Sequence, residues 1–321
     1  MAKPIEADVV LSCGEHLPAV DVWMVIDVLR ATTVITRWFE LGGGDLFPVG
    51  SVEAARRLAR TLANEGAAPL LMGEENGIPP QGFDLGNSPL DLTRDLIREH
   101  PRAVMATTNG TGALLSAAAT GVPVVVACAR NAAVALDCAL SLGSRIGILC
   151  AGRKRRPAWD DTICAGVILD ELTRRAPDLL LADSARLALL TWRTSGDKLL
   201  SSVQTADHAV FLNKIGYGPD VAFACEVDAA SVAPMLHEEP QEGEMRAVLR
   251  NAGSVPRPAP EPPSPPSAAP ASKPLQGTDP FEDLLRYAQD GNEAPRYFFL
   301  GGARRAVGKK MDMALKEEER R

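Results

Sequence analysis

The sequence predicts an α/β protein: a largely parallel sheet covered by helices on both faces, followed by a Pro-rich, disordered C-terminal extension. Three observations carry this expectation. Short apolar runs recur, VWMVIDV at 22–28 being the clearest, and continuous apolar character suits a strand buried on both faces. These runs alternate with segments whose apolar residues recur at helical spacing, as βαβ units require. Of the 321 residues 46% are apolar but only 5% aromatic, which supplies a large core built from Ala, Val, Leu and Ile.

Taken in order, residues 5–12 form a first strand and 22–28 the second, with a helix running on to Glu40. A strand at 45–49 leads to Ser51, a helix cap, because Val52, Ala55, Leu58, Ala59 and Leu62 share one helical face. Residues 69–72 are the next strand. After a long loop, Ser88-Pro89 opens a helix with proline in its favoured first turn, and Leu92, Leu96 and Ile97 supply the apolar side. Strands then fall at 103–106, 122–127 and 145–150, separated by helices at 112–119 and 132–140, the latter capped by Asn131. A helix over 162–174, a mainly helical stretch from 182 to 216 and a last strand at 221–227 complete the pattern.

Beyond His237 the composition changes. Residues 254–274 hold nine of the 25 prolines, mixed with Ser and Ala, the signature of an extended linker. The expected organisation is therefore one α/β domain over 1–237, with a division into two subdomains left open. A linker over 238–279 and a short helical or disordered tail over 280–321 follow. A net charge of −7 leaves no overall basic footprint, so nucleic acid is not an expected partner. The opening MAKPIEADVV lacks a charged-then-apolar signal pattern and no apolar run reaches spanning length. The expectation is a soluble, cytoplasmic protein without a membrane partner; a homo-oligomer is left open. The six cysteines include no CxxC pair and the four histidines no zinc spacing.

Functional expectations follow from where the polar clusters fall. Residues 73–89, GEENGIPPQGFDLGNSP, put two glutamates, an aspartate, four glycines and three prolines at the end of a strand, where open α/β sheets bind ligands. Asp27, Glu74, Glu75, Asp84, Asp160 and Asp161 all stand at or just past strand ends. Crowded carboxylates repel unless a cation intervenes, and hard oxygen donors suit Mg²⁺. Any of the six could serve such an ion. TTNGT at 107–111, between a strand and a helix, offers free backbone N–H groups and hydroxyls to an oxyanion, which makes Thr108, Asn109, Gly110 and Thr111 candidate binding residues. Arg30 with Thr32 and Thr33 forms a second such cluster, and guanidinium binds oxyanions in bidentate fashion. Arg153, Lys154, Arg155 and Arg156 add positive charge, with Arg153 and Arg156 as candidate contacts to an acidic substrate, although a solvated basic loop has the same composition. His208 is either a proton donor, an oxyanion ligand or a helix-surface residue.

Two formal matches compete. Cys150 to Arg156 fits the C-x5-R pattern of thiol phosphatases, but Pro157 and the acidic pair interrupt the loop-to-helix transition that would lower a thiol pKa. Asp27 ends a strand as the nucleophile of aspartyl-phosphate enzymes does, but Leu29 occupies the place of their second aspartate.

Together, VIDVLRATT (25–33), GFDLGNSP (82–89), TTNGT (107–111) and CAG (164–166) preceded by Asp160-Asp161 resemble the 2-phosphosulfolactate phosphatase family of coenzyme M biosynthesis. Ser201/Ser202, Asp207-His208, Gly216 and the Cys225-Glu-Val-Asp228 ending are also similar, so the resemblance runs in order from about residue 5 to 237. It implies a family-specific α/β fold and a Mg²⁺-dependent phosphomonoesterase converting 2-phospho-3-sulfolactate to sulfolactate and phosphate. Another small phosphorylated acid as substrate, or a silent anion-binding regulator, are the alternatives. Position by position it implicates Asp27, Arg30, Glu74, Asp84, Asn109, Thr111 and Asp161, with Asp27, Arg30 and Asp161 as the candidate catalytic residues and Asp27, Glu74, Asp84 and Asp161 as the expected metal set. Glu75 stands where the family pattern carries Arg, and the 153–156 run is the expected replacement.

Overall fold

A computed structural model describes residues 3–252, except 67, 196–197 and 242–243. The readings for the Pro-rich segment at 254–274 and for the tail at 280–321 lie outside the described residues.

The first half of the chain alternates as expected: β1 (Glu6–Val10), β2 (Val22–Ile26), α1 (Ala31–Glu40), β3 (Leu46–Val49), α2 (Val52–Glu65), β4 (Leu70–Gly73), α3 (Arg94–Glu99), β5 (Ala103–Ala106), α4 (Gly110–Ala118) and β6 (Val124–Ala127). There follow α5 (Ala132–Leu142), β7 (Arg145–Cys150), α6 (Trp159–Arg175), β8 (Leu180–Leu181), α7 (Asp183–Thr194), α8 (Leu199–Val203), α9 (Asp207–Lys214), α10 (Gly218–Ala224), β9 (Pro234–Gln241) and β10 (Glu244–Asn251). The Ser51 side chain caps α2 by accepting from the Ala54 N–H at 3.1 Å. Ser88 starts only a 3-10 turn over Pro89–Asp91, and α3 begins later, under a Thr93 cap. Asn131 is buried and does not cap α5; its Oδ1 accepts from Cys128 N and its Nδ2 donates to the carbonyls of Val126 and Val232.

The strands form one mixed sheet of order β4-β5-β3-β10-β9-β6-β2-β7-β1-β8. Two parallel blocks, β4-β5-β3 and β6-β2-β7-β1-β8, are joined through the antiparallel hairpin β9–β10, which pairs Leu249 with Leu46 on one side and Leu236 with Val124 on the other. Most of the pairings are parallel, as expected, and the hairpin supplies the antiparallel ones. One boundary is corrected: residues 238–241 and 244–251 lie in β9 and β10, so the domain continues past 237. Residues 221–227, expected as a strand, lie largely in α10, whose first turn carries Pro219 where the missing N–H is harmless.

β2 shows how the sheet is covered. Its alternating side chains divide between two apolar clusters: Val22, Met24 and Ile26 pack with α5, α6 and α10, whereas Trp23 and Val25 pack with Ile35 and Trp38 of α1. The second cluster also takes Leu46, Leu70, Met72, Ala103 and Met105 from the other block, together with Ala113, Leu114 and Ala117 of α4. The sheet therefore curls around α1 and α4. Its two blocks bring their carboxyl ends toward the amino ends of those helices. Among the described residues no helix is long and apolar enough to cross a membrane.

Candidate active site

Asp27 follows the last residue of β2 and is buried. The turn that carries it is closed by its own threonines: Thr32 Oγ1 accepts from Asp27 N at 3.0 Å and donates to Asp27 O at 2.9 Å, and Thr33 Oγ1 donates to Val28 O at 2.8 Å. Asp161, in the first turn of α6, accepts from Val28 N at 2.9 Å and from Gly152 N at 3.0 Å, tying the β2–α1 turn to the loop after β7. The Asp27 carboxylate faces α4 and accepts from Ala31 N at 3.3 Å. A side chain at Gly110 would meet its Oδ2 and the Ala31 methyl, so only glycine lets α4 begin there.

The loop after β4 and the turn after β5 are one unit. Glu74 Oε1 accepts from Thr108 N at 2.7 Å, and its Oε2 accepts from Thr108 Oγ1 at 3.1 Å and Gly77 N at 2.6 Å. Thr107 and Thr111 cap each other, with Thr111 N donating to Thr107 Oγ1 and Thr107 N to Thr111 Oγ1. Gly73 has φ +147°, and a Cβ there would collide with the Ala106 carbonyl, which fixes β4 tightly on β5.

These turns enclose a cavity of about 190 Å³ lined by Asp27, Leu29, Arg30, Glu74, Asn76, Gly77, Asn87, Thr108, Asn109, Arg153, Lys154, His208 and Phe211. It is smaller than the ~300–1,000 Å³ of pockets for drug-sized molecules, and suits a compact ligand. Three cationic side chains line it, and α4 directs its amino end toward it. Lys154 and Arg155 adopt left-handed backbone (φ 52° and 60°) at the tip of a turn closed by Arg153 N to Arg156 O at 2.9 Å and Arg156 N to Arg153 O at 3.1 Å. That tip aims Arg153 and Lys154 inward. Arg156 lies outside the cavity lining and borders, with Trp159 and Asp160, an adjoining basin that Arg153 and Lys154 also reach.

The electrostatics are those of crowded acids. Burial, then the nearby Glu74 and Asp160 carboxylates, push Asp27 up to about 7. Burial likewise raises Asp160 to about 6 and lifts Asp161 well above the usual carboxylate range, the latter helped by Asp160 and Asp27. Burial, with Arg153 and Arg30 nearby, lowers His208 to about 4, so near neutral pH it is an uncharged imidazole. Its Nδ1 stands 3.8 Å from Asp160 Oδ2, too far for a hydrogen bond.

Asp27, Arg30, Glu74, Thr108, Asn109, Arg153 and His208 thus line one cavity, as a single site requires. Thr32, Thr33, Gly110, Thr111 and Asp161 stand behind it and hold its turns in place. Asp84 is elsewhere: its Oδ2 accepts from Leu71 N at 2.8 Å along the outer edge of β4, two residues before the strand ends. Among the described residues no three His, Cys, Asp or Glu side chains are grouped to hold a metal, so the expected four-carboxylate shell is not assembled. What faces the cavity is an all-oxygen set of another kind, Asp27 and Glu74 together with Asn87, whose buried Oδ1 has no hydrogen-bond partner. Such donors fit a hard divalent cation. Cys150 is buried, does not line the cavity, and its thiol is raised well above its ordinary value by burial and the two aspartates of α6. Glu75 is exposed and does not line the cavity either.

Several residues were not anticipated. Asn76, Asn87 and Phe211 line the cavity, and Ser88, Tyr217 and Asp220 surround Arg30 from behind. Asn87 and Ser88 lie within the GFDLGNSP phrase, which was the available signal for them.

Comparison with known proteins gives the family. The family model described as 2-phosphosulpholactate phosphatase matches residues 12–239. A protein of Deinococcus radiodurans named probable 2-phosphosulfolactate phosphatase is 37% identical over 222 residues, covering 69% of this chain and 89% of its own. Proteins of the same name from Thermus thermophilus (36% over 224 residues, 70% of this chain and 91% of theirs) and Pseudothermotoga lettingae (32% over 232 residues, 72% and 96%) are similar. The matched span holds every residue that lines the cavity, and on that span the chain belongs to the 2-phosphosulpholactate phosphatase family.

Proposed function

We propose that this protein is a Mg²⁺-dependent phosphomonoesterase that hydrolyses 2-phospho-3-sulfolactate to 3-sulfolactate and phosphate. The reaction carries over the activity in its relatives' names. One observation supports it above the others: two cavity-facing carboxylates, Asp27 and Glu74, are opposed by Arg30, Arg153, Lys154 and the amino end of α4. A substrate bearing phosphate, sulfonate and carboxylate on three carbons needs that much positive charge in a small space.

Asp27, Glu74 and Asn87 would hold the Mg²⁺. When bound, that ion neutralises phosphate oxygens, relieves the repulsion between the carboxylates and lowers the pKa of a water. The protein's own part is positioning. Arg30 and the Asn109 end of α4 receive the phosphoryl oxygens as charge redistributes between the attacking water and the leaving C2 oxygen. Arg153 and Lys154 meet the sulfonate and carboxylate, leaving position 75 free of that task. Neutral His208 offers an N–H to an oxyanion, and Leu29 and Phe211 exclude water from one wall. Asp161 acts through the two backbone amides it holds. The work is hydrolysis, and no residue of the chain is consumed by it.

The experiment is inorganic phosphate release from 2-phospho-3-sulfolactate and a panel of other small phosphorylated acids, each with Mg²⁺ and with EDTA. Preferential, EDTA-sensitive release from phosphosulfolactate is expected. Faster turnover of another acid would replace the substrate, and release undiminished by EDTA would remove the metal.

A further inference from the structure

The guanidinium of Arg30 is held on several sides by its neighbours. Its Nη1 donates to Asp220 Oδ2 at 2.6 Å, and both side chains are 2% exposed. Asp220 Oδ1 accepts from Ser88 Oγ at 2.8 Å, the Tyr217 ring lies 4.3 Å from the guanidinium carbon, and Arg30 Nη2 reaches Gly77 O at 3.5 Å. Asp220 does not line the cavity, whereas Arg30 does. Four separate parts of the chain (the β2–α1 turn, the β4 loop, the segment before α3 and the α10 region) therefore converge on one side chain.

Stability does not explain this node. Taking two charges out of water costs more than most buried pairs return, and apolar replacements of such pairs are often neutral or stabilising. A pair kept at the wall of a polyanion site has another use. An arginine has several rotatable bonds, and an unanchored one facing a phosphoryl group must be ordered at the moment of reaction. One already fixed by a carboxylate, a ring face and a carbonyl needs no such ordering. We infer that Asp220, seconded by Ser88, is a positioning residue: it fixes the Arg30 guanidinium toward the phosphoryl group of the substrate without touching that substrate. The inference rests on the functional reading above.

The test is a double-mutant cycle in the 321-residue chain, read by steady-state hydrolysis of 2-phospho-3-sulfolactate with Mg²⁺ and by thermal melts. Asp220→Asn keeps the shape and one acceptor but leaves the buried guanidinium without its counter-charge, so it is expected to fold with a melting temperature lowered by several degrees. It should lower kcat by about 10-fold with KM within about threefold, and Asp220→Ala should lower kcat by about 100-fold, the scale of an ångström of misplacement. Ser88→Ala should reproduce the Asp220→Asn effect in weaker form. In an Arg30→Ala background, Asp220→Asn should have no further effect on kcat, because it acts through Arg30. An undiminished Asp220→Asn effect in that background overturns the positioning role, as does a lowered melting temperature with unaltered kcat. The unmutated enzyme separates the two readings: no phosphate release from it overturns the functional assignment and this inference with it, whereas normal release without the coupling overturns this inference alone.

Discussion

Asp27 is one of three buried acids whose ionisation the fold resists, and replacing it with Asn should make the metal-free protein more stable while destroying its use. In the unfolded chain its carboxyl titrates at the ordinary value of 3.8; in the fold, burial and the Glu74 and Asp160 carboxylates hold it at about 7. The sign follows from which state binds the proton. Below pH 3.8 both states are protonated and stability is full; between the two values only the unfolded state ionises, so stability is lost as pH rises through about 7 and then levels off. About three pH units at ~1.36 kcal/mol each set a ceiling of about 4 kcal/mol above pH 8. Asn keeps an oxygen for the Ala31 N–H but must still bury an amide, so about half the ceiling, ~2 kcal/mol, is the expected gain. For a domain of this size that is a rise of about 4–8 °C in Tm. The assay is differential scanning calorimetry of both proteins in EDTA at pH 4 and pH 8. The rise is expected at pH 8 and should shrink to near zero at pH 4. Added Mg²⁺ should raise the Tm of the unmutated protein alone. An Asp27→Asn protein less stable than the parent at pH 8, or a gain identical at both pH values, would refute the reasoning.

Asp84→Ala should act on stability and not on turnover: losing the acceptor for Leu71 N leaves an edge amide unpaired, costing about 1–3 kcal/mol by calorimetry, while phosphate release stays within about threefold of the parent. Cys150→Ala should retain kcat within about twofold, since a buried thiol raised by its surroundings and outside the cavity lining is no nucleophile. Because His208 titrates at about 4, His208→Gln should leave the shape of the kcat–pH profile unchanged between pH 5.5 and 8; a limb lost in that window would make it a proton donor after all.

The parts of the site that were legible in the sequence are local ones. VIDVLRATT and TTNGT each place their own caps within five residues, so the phrase contains the turn that the structure shows. Glu74 was legible as a polar residue directly after a buried strand. The place of Asp84 was not legible because a long Gly- and Pro-rich segment has no periodicity to reveal that it turns back: Leu85 bridges Met72, and the carboxylate serves the sheet edge. Asp220 and Tyr217 were out of reach for another reason. Val221-Ala-Phe-Ala-Cys225 has the apolar run of a strand, and only Gly218-Pro219 marks it as a helix start. The hairpin at 234–251 was hidden by HEEPQEGE, polar enough to pass for linker. Its far strand, MRAVLRN, does place Val248 and Leu249 in the core. Strand order lay beyond any such reading, because the curl that brings β4 and β5 round to β2 is a property of the whole sheet.

The central claim is that one cavity, between the Asp27 turn and the amino end of α4, takes both the phosphoryl group and the cation. A crystal structure of the protein grown with Mg²⁺ and inorganic phosphate addresses it most directly. The expected result is phosphate against Arg30 and the Asn109 end of α4, with the metal on Asp27 and Glu74 oxygens. Phosphate settled in the neighbouring basin of Arg156 and Trp159, with Asp27 and Glu74 left bare, would contradict it.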